Sequence, residues 1–141
     1  MPKNSNSIGK YTPVNPQEFV IGILRTEKSD YDPVASRISQ LENIRLLHGA
    51  MIASKESGEL VDQMYRHIYY GAELDHVNLV EELGDIMFGV GLMADQLNVT
   101  LEEIMGANSA KLRARYPSGF SKEDALNRNL DVERAVLEGE E

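Results

Sequence analysis

The sequence predicts an all-α fold: a helical bundle built on three long helices, with short helices toward both ends. Two long stretches carry apolar residues at alternating steps of three and four, the period of one helix face. Capping residues stand just before the predicted helices and breakers just after them. Little of the chain shows the strict alternation of a half-buried strand.

In chain order, residues 1–14 are polar, rich in Asn, Ser and Lys with Gly and Pro, and read as a flexible arm. Asn15-Pro16-Gln17-Glu18 reads as a helix start: Asn caps, Pro suits the first turn, and Glu18 stands where a capping box needs it. Phe19 to Leu24 continues it as a short apolar helix, although a strand would also satisfy so short a run. After the polar link Thr26 to Tyr31, Asp32-Pro33 opens another short helix, so residues 15–40 form a segment of short helices.

The longest helix is expected from Leu41 to Tyr70, stopped by Gly71, with a seam of Ile44, Leu47, Met51, Ser54, Gly58, Val61, Tyr65 and Ile68. Asp75 caps the next, His76 to Leu97, whose seam is Leu79, Leu83, Ile86, Val90, Met93 and Leu97. Asn98-Val99 breaks it. Thr100-Leu101-Glu102-Glu103 is a capping box for a third helix that ends near Tyr116, because Pro117 disfavours a helical residue before it. Ser118-Gly119-Phe120 is a turn, and Ser121 and Asp124 start a short helix. The bundle thus spans residues 41–128. Residues 129–141 are an extension whose acidic end, Glu138 to Glu141, should fray.

A chain of 141 residues fits one domain and is long enough to bury a core. It has no cysteine, which excludes a disulfide scaffold, a thiol nucleophile and a thiolate zinc site. Fourteen basic residues against 23 acidic ones give a net charge of -9, so a non-specific nucleic-acid coat is not expected. No apolar run approaches a membrane span of roughly 20 residues. The opening residues lack the apolar segment of a secretory signal. A cytoplasmic protein without nucleic-acid or membrane partners is expected.

The informative feature is a near-duplicate. One long helix carries Glu56-Ser57-Gly58-Glu59 and the next Glu82-Leu83-Gly84-Asp85, each acid, any residue, glycine, acid. Residues three apart share a helix face, and both pairs lie beside an apolar seam. Gly58 and Gly84 each cost roughly 1 kcal/mol in a helix interior, which suggests a tight backbone approach there. Four carboxylates brought together repel unless cations sit among them. All the donors are hard oxygens, so Mg²⁺, or Mn²⁺, is the matching ion. An acidic pair on one helix is usually a solvated face, and that reading stands beside the metal site.

Glu81 is either a surface charge, a supporting partner or an alternate ligand. On the third helix Asn108, Lys111 and Arg115 share a face and could hold a polyphosphate; equally, cations near a helix C-terminus favour the macrodipole. Tyr116 is a packed terminal aromatic or a stacking surface. His48 lies two turns before Glu56, close in angle to Glu59, and reads as an ordinary histidine or a partner of Glu59. Arg66, His67, Tyr69 and Tyr70 could rim a base, or simply pack.

These residues resemble the MazG-like, all-α nucleotide pyrophosphohydrolases, whose pattern is E-E-x-x-E followed, after a variable spacer, by E-x-x-D. Here the motifs are Lys55-Glu56-Ser57-Gly58-Glu59 and Glu82-Leu83-Gly84-Asp85, within the closely similar stretch Asn78 to Asp85. Asn108 to Phe120, NSAKLRARYPSGF, is similar to the third-helix signature of short stand-alone members. The resemblance covers residues 46–128 and makes 41–128 the catalytic bundle. It implies Mg²⁺-dependent hydrolysis of a nucleoside triphosphate to the monophosphate and pyrophosphate, a nucleotide-pool housekeeping role, and a homodimer or homotetramer. It implies Glu56, Glu59, Glu82 and Asp85 as ligands, and substrate contacts from Asn108, Lys111, Arg115 and Tyr116. Glu59 is the preferred catalytic base through its alignment with His48, and Asn78, Glu81 and His48 support the site from around it. Lys55 departs from the pattern, standing where the family has its first Glu, so metal number and substrate choice can differ here.

Two other classes of function fit parts of the sequence. A non-catalytic homo-oligomeric binding module would use the seams as interfaces and the acids as a solvated rim. A di-iron carboxylate bundle would use Glu73 and His76, an E-x-x-H pair, but needs two such pairs on two helices.

Overall fold

The computed structural model describes residues 14–139. The arm expected over residues 1–14 lies, apart from Val14, outside them. The described residues are helical with no strand; an isolated bridge joins Pro117 and Gly119. They divide into two compact units, one ending at Arg37 and the other beginning at Ile38.

In the first unit, α1 (Pro16–Leu24) starts as the caps dictate. Asn15 Oδ1 accepts from the Glu18 amide at 2.9 Å, and Glu18 accepts from the Asn15 amide at 3.2 Å. The apolar run is thus a helix, and none of its residues is buried. The next helix, α2 (Asp32–Ile38), carries Asp32 in its first turn and Arg37 in its last.

The second unit is built on α3 (Leu41–Tyr70) and α4 (His76–Leu97), an antiparallel hairpin. Gly71 closes α3 in the left-handed conformation, φ 67°, and Asn98 closes α4 at φ 54°. The Asp75 carboxylate caps α4 by accepting from the Val77 and Asn78 amides. At the far end of the hairpin, Arg45 donates to Asp95 at 2.6 Å and to Gln96 at 3.2 Å. The third long helix, α5 (Leu101–Arg115), begins with the Thr100–Glu103 capping box and ends before Pro117. Short α6 (Lys122–Leu126) is capped by Ser121.

The extension over 129–141 carries a short terminal helix, α7 (Leu130–Glu138), capped by Asn129 and closed by Gly139. The main packing partner of α5 is α7. One expectation is corrected. The apolar seam assigned to α3 does not face α4: Met51, Val61 and Ile68 are 61, 67 and 65% exposed. The contact stripe instead runs through Gly49, Ala53 and Glu56, with half-buried Ile52 and Leu60 beside it. On α4 the seam holds at half-buried Leu79, Ile86, Val90 and Met93, while Leu83 and Leu97 are exposed. Small side chains let the backbones meet there, so the contact buries little apolar area. Ala94 is the one buried apolar side chain among the described residues, so these residues do not by themselves close the core expected of a chain this long.

The glycines are corrected too. A Cβ added at Gly58 or Gly84 would meet nothing within 4 Å, whereas one at Gly49 or Gly89 would meet the opposite helix's backbone. The tight crossing lies two turns from the acids, not at them.

Candidate metal centre

The hairpin register brings the two acidic motifs together. Glu56, Glu59 and Glu82 each offer a carboxylate oxygen, and these oxygens lie within 4.8 Å of one another. Glu82 and Glu56 are buried, 5 and 8% exposed, while Glu59 sits at the rim. Carboxylates are rarely buried without a partner. Glu82 accepts from Asn78 Nδ2 at 2.9 Å, and Asn78 also reaches Glu81 at 3.4 Å. Lys55 Nζ lies 2.9 and 3.0 Å from the two Glu56 oxygens and 2.6 Å from Glu59 Oε1.

The proton affinities follow from these contacts. Burial raises the Glu82 carboxyl above its ordinary value; the Asn78 hydrogen bond opposes this, and the Glu59 and Glu56 charges add to it. The Lys55 ammonium holds Glu59 below its ordinary value. Glu59 and then Glu56 raise Lys55 in return.

The donor set fits a hard divalent cation: three convergent carboxylates, no sulfur, and an ammonium standing where positive charge is wanted. Next to it is a cavity of about 600 Å³ lined by Gly58, Glu59, Asp62, Gln63, Arg66, Asp75 and Asn78. That volume suits a small-molecule ligand. Arg66 pairs with Asp62 at 2.7 Å on its wall. Gln63 and Asp62 were not singled out from the sequence. Their place two turns or less beyond Glu56 on α3 is the signal that could have found them.

Other expected site residues stand apart from this group. Asp85 is exposed and outside the three-carboxylate cluster. His48 is exposed on α3 and is not among the converging groups. Glu73 lies in the α3–α4 turn and His76 at the first position of α4, and neither joins a ligand cluster among the described residues. On α5, Asn108 is exposed and Lys111 half-buried.

Arg115, expected at the substrate, is paired with Glu133 in the structure. Its Nε and Nη2 donate to the two Glu133 oxygens at 2.8 and 2.5 Å, while Arg128 grips the same carboxylate at 3.2 and 2.7 Å. Tyr116 packs its ring 5.6 Å from that of Phe120, with the Arg115 guanidinium 5.8 Å from its centroid.

A helical hairpin with carboxylates from both arms closing on one point defines an all-α protein equipped for a divalent cation. The family model of the MazG nucleotide pyrophosphohydrolase domain matches residues 49–120, from the glycine of the helix crossing to the turn after α5. The chain belongs to that family. Comparison with curated proteins and with solved structures gives no match. No helix of the described residues is long and apolar enough to cross a membrane.

Proposed function

We propose that the protein hydrolyses a nucleoside triphosphate to the monophosphate and pyrophosphate with Mg²⁺, or Mn²⁺, in nucleotide-pool housekeeping in the cytoplasm. The observation that carries this reading is the convergence of Glu56, Glu59 and Glu82 beside a cavity of about 600 Å³, in a chain of the MazG family. Glu56, Glu59 and Glu82 would hold the cation, with Asp85, one turn along α4, as the fourth acid. The ion would neutralise phosphate oxygens and acidify a bound water.

The chain's own residues have separate tasks. Asn78 orients Glu82 through its amide. Arg66 and Gln63, on the cavity wall, supply donors to an anionic substrate. A water oxygen attacks the α-phosphorus, and the bond to the bridging oxygen breaks as pyrophosphate leaves. The water's proton passes to a carboxylate. Glu59, the base expected from the sequence, stands at the rim of the cluster beside the cavity and is the candidate acceptor. Lys111 and Asn108 serve the substrate only if α5 of this or a second protomer lines the cavity.

The protomer is also proposed to assemble as a homodimer or homotetramer. An apolar stripe of Ile44, Leu47, Met51, Val61, Tyr65 and Ile68 lies exposed along α3, longer than the scattered apolar residues of a monomer's surface.

The test is a pyrophosphate-release screen over ribo- and deoxynucleoside triphosphates, with and without Mg²⁺. Release of pyrophosphate with Mg²⁺ alone, lost in Glu82→Gln, is expected. Release of inorganic phosphate, or no turnover of any triphosphate, would remove the proposal.

A further inference from the structure

Lys55 is adjacent in sequence to Glu56 and one turn before Glu59. Neighbouring helix residues do not normally face each other, so the contact to Glu56 requires the long Lys stem to fold over the helix surface. The result is an ammonium that touches three oxygens of two cluster members, at 2.6 to 3.0 Å. The Lys55 side chain is 65% exposed and that of Glu56 11%. The positive charge therefore comes from the solvent side, across the mouth of a buried carboxylate.

We infer that Lys55 is a tethered counter-ion that occupies one cation position of the cluster and must swing out before a divalent ion can engage Glu56 and Glu59. This inference rests on the metal reading of the cluster. Three carboxylates at this separation repel one another, and a tethered ammonium offsets that repulsion without any ion from solution. The same contact uses the oxygens an incoming cation needs. The two are mutually exclusive, so Lys55 weakens metal affinity and makes site filling depend on the free divalent concentration. An acid at this position would add a ligand instead. Lys55 thereby sets metal number and affinity for this chain.

The experiment measures Mn²⁺ binding to the full chain at fixed ionic strength, by calorimetry and by the electron paramagnetic signal of free Mn²⁺. The chains compared are the unmodified protein, Lys55→Met, Lys55→Arg, and Lys122→Met, which removes one exposed charge from α6. Lys55→Met should bind Mn²⁺ about tenfold more tightly, the order expected when an exposed ion pair no longer has to be broken first. Lys55→Arg should stay near the unmodified value, and Lys122→Met within about twofold of it. In the unmodified chain, acylation of Lys55 by a small amine-reactive ester should speed up several-fold when Mg²⁺ is added, and that of Lys122 should not; this reading does not depend on any variant folding. Equal affinities for the unmodified chain and Lys55→Met, or an equal gain in Lys122→Met, overturn the inference while leaving the metal reading standing. Absence of Mn²⁺ binding to every chain overturns both.

Discussion

Gly49 on α3 and Gly89 on α4 stand face to face: a Cβ on either would lie 2.6 Å from the other's carbonyl oxygen. Each glycine is seven residues, or about two turns, from an acid of the cluster: Gly49 from Glu56, and Gly89 from Glu82. Because the helices are antiparallel, both steps run toward the same end of the hairpin. The crossing therefore sets the separation at which Glu56 and Glu82 meet.

Gly89→Ala should push the helices apart. The atom it meets is a backbone oxygen, which cannot step aside, and Ala53 N and Cβ follow at 3.0 and 3.3 Å. Overpacking costs about 1–3 kcal/mol against a helix-propensity gain of roughly 1. Thermal denaturation should show a lower Tm, and metal affinity should fall with it. Gly84→Ala, with nothing within 4 Å, should gain about 0.5–1 kcal/mol. A destabilised Gly84→Ala would mean that a neighbouring molecule packs there.

A divalent ion that binds only the folded chain should stabilise it by about 2.7 kcal/mol at a hundred times its Kd. Mg²⁺ is therefore expected to raise Tm, and Glu82→Ala to abolish the rise. Asp85→Asn tests the fourth acid: it stands outside the cluster of three, so loss of turnover with the Mg²⁺ effect on Tm retained would separate it from the three ligands. An identical Tm with and without Mg²⁺ in the unmodified chain counts against the whole assignment.

Helix boundaries were legible because caps are local. Asp75, Thr100 and Gly71 each act within a few residues, and all three stand at the ends they mark. The meeting of Glu56 and Glu59 with Glu82 was legible because the same acidic spacing occurs twice on successive helices. The face of α3 turned toward α4 was not legible. Apolar periodicity marks a stripe without saying what covers it, and the true contact uses Gly49, Ala53 and Glu56, which carry no hydrophobic signal. The pairing of Arg115 with Glu133 was not legible, because Glu133 is eighteen residues further on, beyond the reach of any helical spacing. Asn129 as a cap and apolar Val132 and Val136 on one face were the signs of α7.

The exposed α3 stripe predicts self-association. Charge placed on it, as in the double variant Met51→Glu and Val61→Glu, should shift the mass found by light scattering to that of a smaller species. Neither residue belongs to the metal cluster, so any activity lost with the shift would mean that the site needs the assembled form. An unmodified chain that already runs as a monomer would leave the stripe without this role.

Glu133 predicts the acid limb of stability. Arg128, and then Arg115, hold its carboxyl at about 2, well below the ordinary value of 4.5. A depressed carboxylate stabilises the folded chain above its unfolded value and loses that contribution as pH falls through the folded one. The window here is therefore about pH 4.5 down to about 2. In Glu133→Gln the two guanidiniums face each other without an anion between them, so at neutral pH this variant should be less stable and its α5–α7 contact looser. The gap in Tm between the two chains should narrow as pH drops through that window, because protonation makes the unmodified Glu133 neutral too. Thermal denaturation of both chains from pH 7 to pH 2 measures this directly. A gap that stays constant across the range would mean that the two arginines do not draw on the carboxylate's charge.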